Sequence, residues 1–259
     1  MADLRHKTIL LTGASKGIGA ATARILGEAG ANLVAHYGRD RDGVEAATAG
    51  IPEGRKLILQ ADLAKPAELD ALWRGALQWK GGIDVLVNNA ATMAWTGGID
   101  DDDETWDRVW AETLHVNVMG PARLMRSAVR HFRPRKSSNV SGIIITISSW
   151  AAQRGVTNPR TIAYAASKAA IKAATQTVAR GYAKEGVLAY IVAPGVVRTG
   201  MSESFAATQG GEEPVTAGLA MGEWVPPDDI GHLVAFLATG KSRHLTGATL
   251  DVNGATYVR

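Results

Sequence analysis

Lys7 to Leu26 reads KTILLTGASKGIGAATARIL. Lys7–Leu11 is a short run of aliphatic and β-branched residues, as expected of a buried strand. Thr12–Gly19 then sets three glycines in eight residues, and Ile18–Leu26 resumes at helical spacing with alanines and no breaker. The order is strand, glycine turn, helix. Gly13 permits a tight turn, Gly17 lets the backbone approach a phosphate, and Gly19 lets helix and strand pack closely. Free N–H groups and the positive end of the helix dipole then face an anion. A plain tight turn can share this pattern, but the flanking strand and helix favour a dinucleotide site.

Outward from that unit, strand-like runs recur at Asn32–Tyr37, Lys56–Gln60, Val85–Val87, Gly142–Ile147, Leu188–Ala193 and Ala248–Val252. Helical stretches lie between them at Asp42–Ala49, Pro66–Lys80, Glu104–Phe132, Ile162–Lys184 and Pro227–Ala238. The acidic run Asp100–Glu104 suits a helix start better than a metal site, because no complementary ligand set lies nearby. Strict β–α alternation predicts the α/β class: a Rossmann-type, doubly wound parallel sheet of about seven strands with helices on both faces. With no repeat or linker, residues 1–259 read as a single domain. Ligands of such sheets bind beyond the carboxyl ends of the strands, so the residues just after each strand carry the chemistry.

Composition narrows the function. The 259 residues contain no cysteine, which excludes disulfides, thiolate metal sites and a cysteine nucleophile. No apolar run nears the ~18 residues that span a bilayer, and the first strand begins too early to leave room for a leader. A cytoplasmic protein with no membrane partner is expected. The net charge of +3 is spread along the chain. Its densest group, Arg130, Arg133, Arg135 and Lys136, complements a helix end and lacks interleaved aromatics, so no nucleic-acid partner is expected. Without a secretory signal, the glycosylation-like triplet Asn139-Val140-Ser141 reads as chance.

The first strand is followed by the phosphate turn, with Ser15, Lys16 and Ile18. The second is followed by Tyr37, Gly38 and Arg39, where a free ribose 2′-hydroxyl would usually meet a carboxylate. Cations without the acid favour a 2′-phosphate, so NADP(H) is expected ahead of NAD(H), which remains open. Asp62 and Leu63 follow the third strand. Asp62 could accept a hydrogen bond from adenine or cap the helix opening at Pro66, readings that are not exclusive. Asn88-Asn89-Ala90-Ala91, Ser148-Ser149 and Pro194-Gly195-Val196-Val197-Arg198-Thr199 follow the fourth, fifth and sixth strands.

Tyr164-Ala165-Ala166-Ser167-Lys168 puts a phenol and an ammonium on one helix face. A cation ~5 Å away would favour phenolate by roughly 3 kcal/mol, bringing the phenol towards the neutral range used in acid–base work. Taken with TGASKGIG, NNAA, the serine pair and PGVVRT, this motif means the chain resembles the short-chain dehydrogenase/reductase family from Lys7 to about Gly254. The resemblance implies Tyr164 as general acid or base, and Lys168 as its activator and a ligand of the nicotinamide ribose. It implies Ser149 on the substrate oxygen and Asn117 holding a water that links Lys168 to solvent. Gly13, Gly17 and Gly19 would line the pyrophosphate, Asp62 the adenine, and Asn89 and Ala90 the adenosine ribose region. Pro194, Gly195, Val197 and Thr199 would shape the carboxamide side.

Ser149 lies 15 residues before Tyr164 where the family commonly has 13, so Ser148 is the alternative and a two-residue loop extension is expected. Met93, Trp95, Trp150, Gln153, Arg154, Met201, Phe205 and Trp224 would line a pocket for an apolar or cyclic carbonyl or alcohol, although packing of loops on the core explains most tryptophans equally well. Residues 200–225, with their glycines and Ser202-Glu203-Ser204, read as a mobile lid. His36, His115, His131 and His232 show no ligand spacing and read as capping, packing or solvent-facing. The long helices, with Ala169, Ala170, Ala173 and Ala174, are expected to pack against copies of themselves in a homo-oligomer, a tetramer or a dimer. The rival readings are a non-catalytic dinucleotide sensor or scaffold, and lyase or epimerase chemistry with retained cofactor.

Overall fold

A computed structural model describes residues 2–133 and 140–258. Its strands are β1 (Thr8–Leu11), β2 (Asn32–Tyr37), β3 (Lys56–Gln60), β4 (Val85–Asn88), β5 (Gly142–Ile147), β6 (Val187–Pro194) and β7 (Thr249–Val252). They form one sheet in the order β3-β2-β1-β4-β5-β6-β7, and every pairing is parallel. The order reverses between β1 and β4, which is the switch point where such sheets bind ligands.

Successive strand residues feed opposite faces. Ile9 and Leu11 join Ile25 and Leu26 of α1 (Gly17–Glu28) and Ile230 and Val234 of α10 (Pro227–Ala238) in one apolar core. Leu10 points the other way. There it meets Leu72 of α3 (Pro66–Gln78), Phe132 of α5 (Gly120–Phe132) and Ile171 of α7 (Ile162–Tyr182). Both faces of the central strands are covered, which is why their sequences are apolar almost throughout.

The remaining helices are α2 (Arg41–Ala47), α4 (Asp103–Leu114), α6 (Ala151–Arg154), α8 (Gly200–Thr208) and α9 (Glu212–Ala217). Two expectations are corrected. The stretch Glu104–Phe132 is two helices, α4 and α5, joined by the π-turn His115–Met119. Pro121 lies in the first turn of α5, where its missing N–H breaks a continuous ladder. Residues 200–225, expected as a loop, are mainly α8 and α9. Val196, Ala206 and Trp224 form a small apolar core with Trp150, Val215 and Leu219, and Val197 bridges to Val225. At the base of this unit, Thr256 Oγ1 accepts the Ala220 N–H at 3.1 Å.

The acidic run is a helix start. The Asp102 side chain caps α4 through the Thr105 N–H at 2.7 Å, and Asp103 and Glu104 lie in its first turn. Arg130 and Arg133 sit at the end of α5, with Arg133 2.6 Å from Glu185. Arg135, Lys136 and Asn139 lie outside the described residues. No helix among the described residues is long and apolar enough to cross a membrane.

Candidate active site

The glycine turn is held from three sides. Gly13 has φ +69°, and a Cβ there would lie 2.8 Å from Ala90 Cα. A Cβ on Gly17, at φ +55°, would meet Thr199 Cγ2 at 3.0 Å, and one on Gly19 would overlap the Gly13 carbonyl. The Asn89 amide donates to the carbonyls of Thr12 and Gly13, both at 2.9 Å. The Thr12 hydroxyl in turn accepts the N–H groups of Asn89 and Ala90 at 3.0 and 3.1 Å. Asp40, Asp102 and Thr199 cap α2, α4 and α8, whereas α1 starts with no side-chain cap and no acid in its first turn. Its free N–H groups suit an anion, and the close-packed glycines form a cradle that side chains would fill. The turn therefore fits a dinucleotide pyrophosphate.

His36 is the residue here that sequence reasoning missed. It is buried at the end of β2; its Nδ1 accepts the Gly13 N–H at 3.1 Å and its Nε2 lies 2.9 Å from the Ala61 carbonyl. The available signal was alternation: His36 shares a strand face with Val34, so it is a polar side chain at a core-facing position. Burial pulls its pKa below the usual histidine value.

Around the turn, Ser15 Oγ donates to the Asp40 carbonyl at 2.8 Å, and Ile18 packs on the core. The Tyr37 hydroxyl lies near Arg41, which is paired with Glu45 at 2.7 Å. Lys16 and Arg39 are exposed and lack an ion-pair partner among the described residues. Asp40 is the acid nearest in sequence, and its carboxylate is occupied by the Gly43 N–H at 2.9 Å. The Asp62 side chain accepts the Ala64 N–H at 2.9 Å, while the N-cap position of α3 belongs to Lys65, so Asp62 makes a local turn rather than the cap. Leu63 is buried behind it.

Ser149, Tyr164 and Lys168 come together across β5 and α7. Ser148 is turned away, its hydroxyl donating to the Lys168 carbonyl at 3.0 Å. The Ser149 side chain lies beside the Tyr164 phenol, and its Oγ accepts the Ala151 N–H at 3.1 Å. The two extra residues are absorbed by α6 and by Gly155, at φ +75°, which turns the chain back towards α7. Lys168 Nζ lies 5.7 Å from the centre of the Tyr164 ring and donates to the Ile147 carbonyl at 2.9 Å.

The electrostatics correct the expected activation. Burial raises the Tyr164 pKa above that of a free phenol, with the neighbouring Ser149 pulling the other way. Burial also pushes Lys168 down to about 8. Loss of solvation dominates, so the phenol keeps its proton at neutral pH.

Asn117, in the π-turn, is committed to protein partners. Its Oδ1 accepts the Thr92 N–H at 2.8 Å, and its Nδ2 donates to the Thr92 carbonyl at 2.8 Å and to Ser167 Oγ at 3.0 Å. Ser167 donates to the Tyr164 carbonyl at 2.7 Å, so the loop after β4 is tied to the helix carrying the phenol. Farther along that loop, Trp95 stacks on Phe205 of α8 at 6.3 Å between centroids. Arg154 lies 4.9 Å above the Trp150 ring. At the end of β6, the Pro194 carbonyl accepts the Trp150 N–H at 3.0 Å, and the Gly195 N–H donates to Val252 at 2.9 Å.

A family model described as Enoyl-(Acyl carrier protein) reductase matches residues 13–255. The chain is 35% identical to 3beta-hydroxysteroid dehydrogenase 1 of Eggerthella lenta, over 97% of this chain and 94% of that one. A short-chain dehydrogenase from Burkholderia cenocepacia J2315, solved in complex with NADP, superposes with TM-score 0.86 at 32% identity, covering 98% of each chain. A 3-ketoacyl-(acyl-carrier-protein) reductase from Brucella melitensis, solved with NADH, gives TM-score 0.87 at 28% identity, over 99% of this chain and 100% of that one. With the parallel sheet, the glycine cradle and the serine–tyrosine–lysine cluster in place, the chain belongs to the short-chain dehydrogenase/reductase family of NAD(P)(H)-binding oxidoreductases.

Proposed function

We propose that the protein is an NADP(H)-dependent reductase of small carbonyl compounds, with Tyr164 as its general acid. The observation that carries this reading is the Tyr164 phenol beside Ser149, its pKa raised so that it keeps its proton, with the Lys168 Nζ 5.7 Å from its ring centre. When bound, NADP(H) supplies the hydride for reduction or takes it up in oxidation. Tyr164 gives its proton to the substrate oxygen as that oxygen gains charge, and Ser149 donates a second hydrogen bond to the same oxygen. Lys168 holds positive charge beside the phenol as it ionises, and Asn117 keeps the loop after β4 in register with Tyr164.

Gly13, Gly17 and Gly19 would admit the pyrophosphate, Ser15 and Ile18 would flank it, and Tyr37, Asp62 and Leu63 would border the adenine. Asn89 and Ala90 would lie along the adenosine ribose, and Pro194, Gly195, Val197 and Thr199 along the carboxamide. Lys16 and Arg39 support the choice of NADP(H): both cations are unpaired among the described residues, and the carboxylate of Asp40 is already occupied. Trp95, Trp150 and Phe205 support a ring-bearing, apolar substrate, with α8 and α9 as the lid.

Tyr164→Phe is the test. It should retain NADPH affinity, measured by nucleotide fluorescence, and lose turnover across a ketone panel by about a thousandfold. The wild type should bind NADPH more tightly than NADH. Unchanged turnover in the variant would remove Tyr164 from the chemistry.

A further inference from the structure

We infer that His36 is a positioning residue for the dinucleotide: its neutral imidazole, through Nδ1, sets the orientation of the glycine turn on which cofactor binding depends. This inference rests on the NADP(H) reading above. A carbonyl can only accept, so the Nε2 facing Ala61 at 2.9 Å carries the hydrogen, leaving Nδ1 as the bare acceptor for Gly13 N–H at 3.1 Å. The two backbone partners thus fix one tautomer.

The same residue holds the next amide as well, because the Ala14 N–H donates to the His36 carbonyl at 2.8 Å. Two consecutive N–H groups of the turn therefore hang on one residue. The opposite side of Gly13 is held by Asn89, which donates to its carbonyl at 2.9 Å. That carbonyl lies where a side chain on Gly19 would be, so rotation of Gly13 would drive its oxygen into the start of α1. His36 and Asn89 together lock the peptide against which the helix start is packed. Through Ala61, His36 also ties the phosphate turn to the end of β3, one residue before Asp62.

A buried histidine that merely fills space would respond to volume. A positioning histidine responds to which nitrogen is replaced. The shorter amide of His36→Asn puts an acceptor near the position of Nδ1, whereas the longer amide of His36→Gln reaches the position of Nε2 and leaves Gly13 N–H without its acceptor. His36→Asn, His36→Gln and His36→Leu should therefore be compared by NADPH titration without substrate, by KM and kcat, and by thermal melting. The expected result is an NADPH Kd within about threefold of wild type for His36→Asn, and about tenfold or more weaker for His36→Gln and His36→Leu, the scale of one buried donor left unpaired. Their KM for NADPH should rise while kcat at saturating nucleotide changes little. Equal losses in all three variants, following the melting temperature, would overturn the positioning role. A wild type that binds neither NADPH nor NADH would instead overturn the cofactor reading itself.

Discussion

At the scale of single residues, Lys168 shows the cost of placing a charge for chemistry. It is 4% exposed, no carboxylate among the described residues pairs with it, and burial pushes it down to about 8 from 10.5. Its folded pKa lies below its unfolded one, so the unfolded chain binds the proton more tightly. The folded state without nucleotide is therefore penalised below about pH 8, by on the order of 3 kcal/mol, and the penalty fades as pH rises towards 10.5. Lys168→Met keeps the packed stem and removes the ammonium. After loss of the bond to Ile147 is subtracted, about 2 kcal/mol of stabilisation remains, which should raise the melting temperature at neutral pH by about 4 to 8 °C. Turnover should collapse in the same variant. A lower melting point would show that the bond to Ile147 outweighs the burial of charge. The tyrosine–lysine spacing was legible in the sequence because one helical turn is a local fact. The direction of the phenol's shift was not, because solvent exclusion by β5 and α6 appears only once the chain has folded.

Among elements, the aromatic latch on α8 is open to direct test. Phe205 stacks on Trp95 of the loop after β4, while Ala206 next to it packs into the small core with Trp150 and Trp224. The helix is thus held to two walls of the site at once. Phe205→Ala removes one hold, worth about 0.5–1.5 kcal/mol. Limited proteolysis should cut within residues 200–225 sooner in this variant, and KM for a ring-bearing ketone should rise by up to about tenfold. Cleavage at the wild-type rate would mean that the small core alone closes the helix down. Strands such as Asn32–Tyr37 and Gly142–Ile147 were readable to the residue because both their faces are buried and their edges are marked by polar or glycine residues. The π-turn at His115–Met119 was not, since nothing in the apolar spacing marks an extra residue per turn. Helix α6 hid inside a stretch that looked like a loop, because four residues are too few to show a period.

For the molecule as a whole, the open groove between α5 and α7 matters most. It encloses about 500 Å³ and is lined by Ala122, Met125, Val129, Ala174 and Val178 with Arg126 and Arg130 at its edge. We propose that a second copy of the chain covers the half-exposed Ala122, Ala174 and Val178 here. Ala174→Arg adds bulk and a like charge there, and light scattering should show a smaller particle than the wild type; an unchanged mass would place self-association elsewhere. The parallel sheet of about seven strands was readable from β–α alternation, but the strand order, and with it the identity of each turn's neighbours, was not, because β1 lies next to β4 rather than β3. That arrangement also governs how the protein is made. Gly13 is translated early, yet the residues that confine it, Asn89 and Ala90, emerge about 75 residues later, and Thr199, which covers Gly17, later still. A nascent chain on the ribosome therefore carries the nucleotide motif long before it can grip a nucleotide, and capture of the coenzyme must wait until most of the polypeptide has left the exit tunnel.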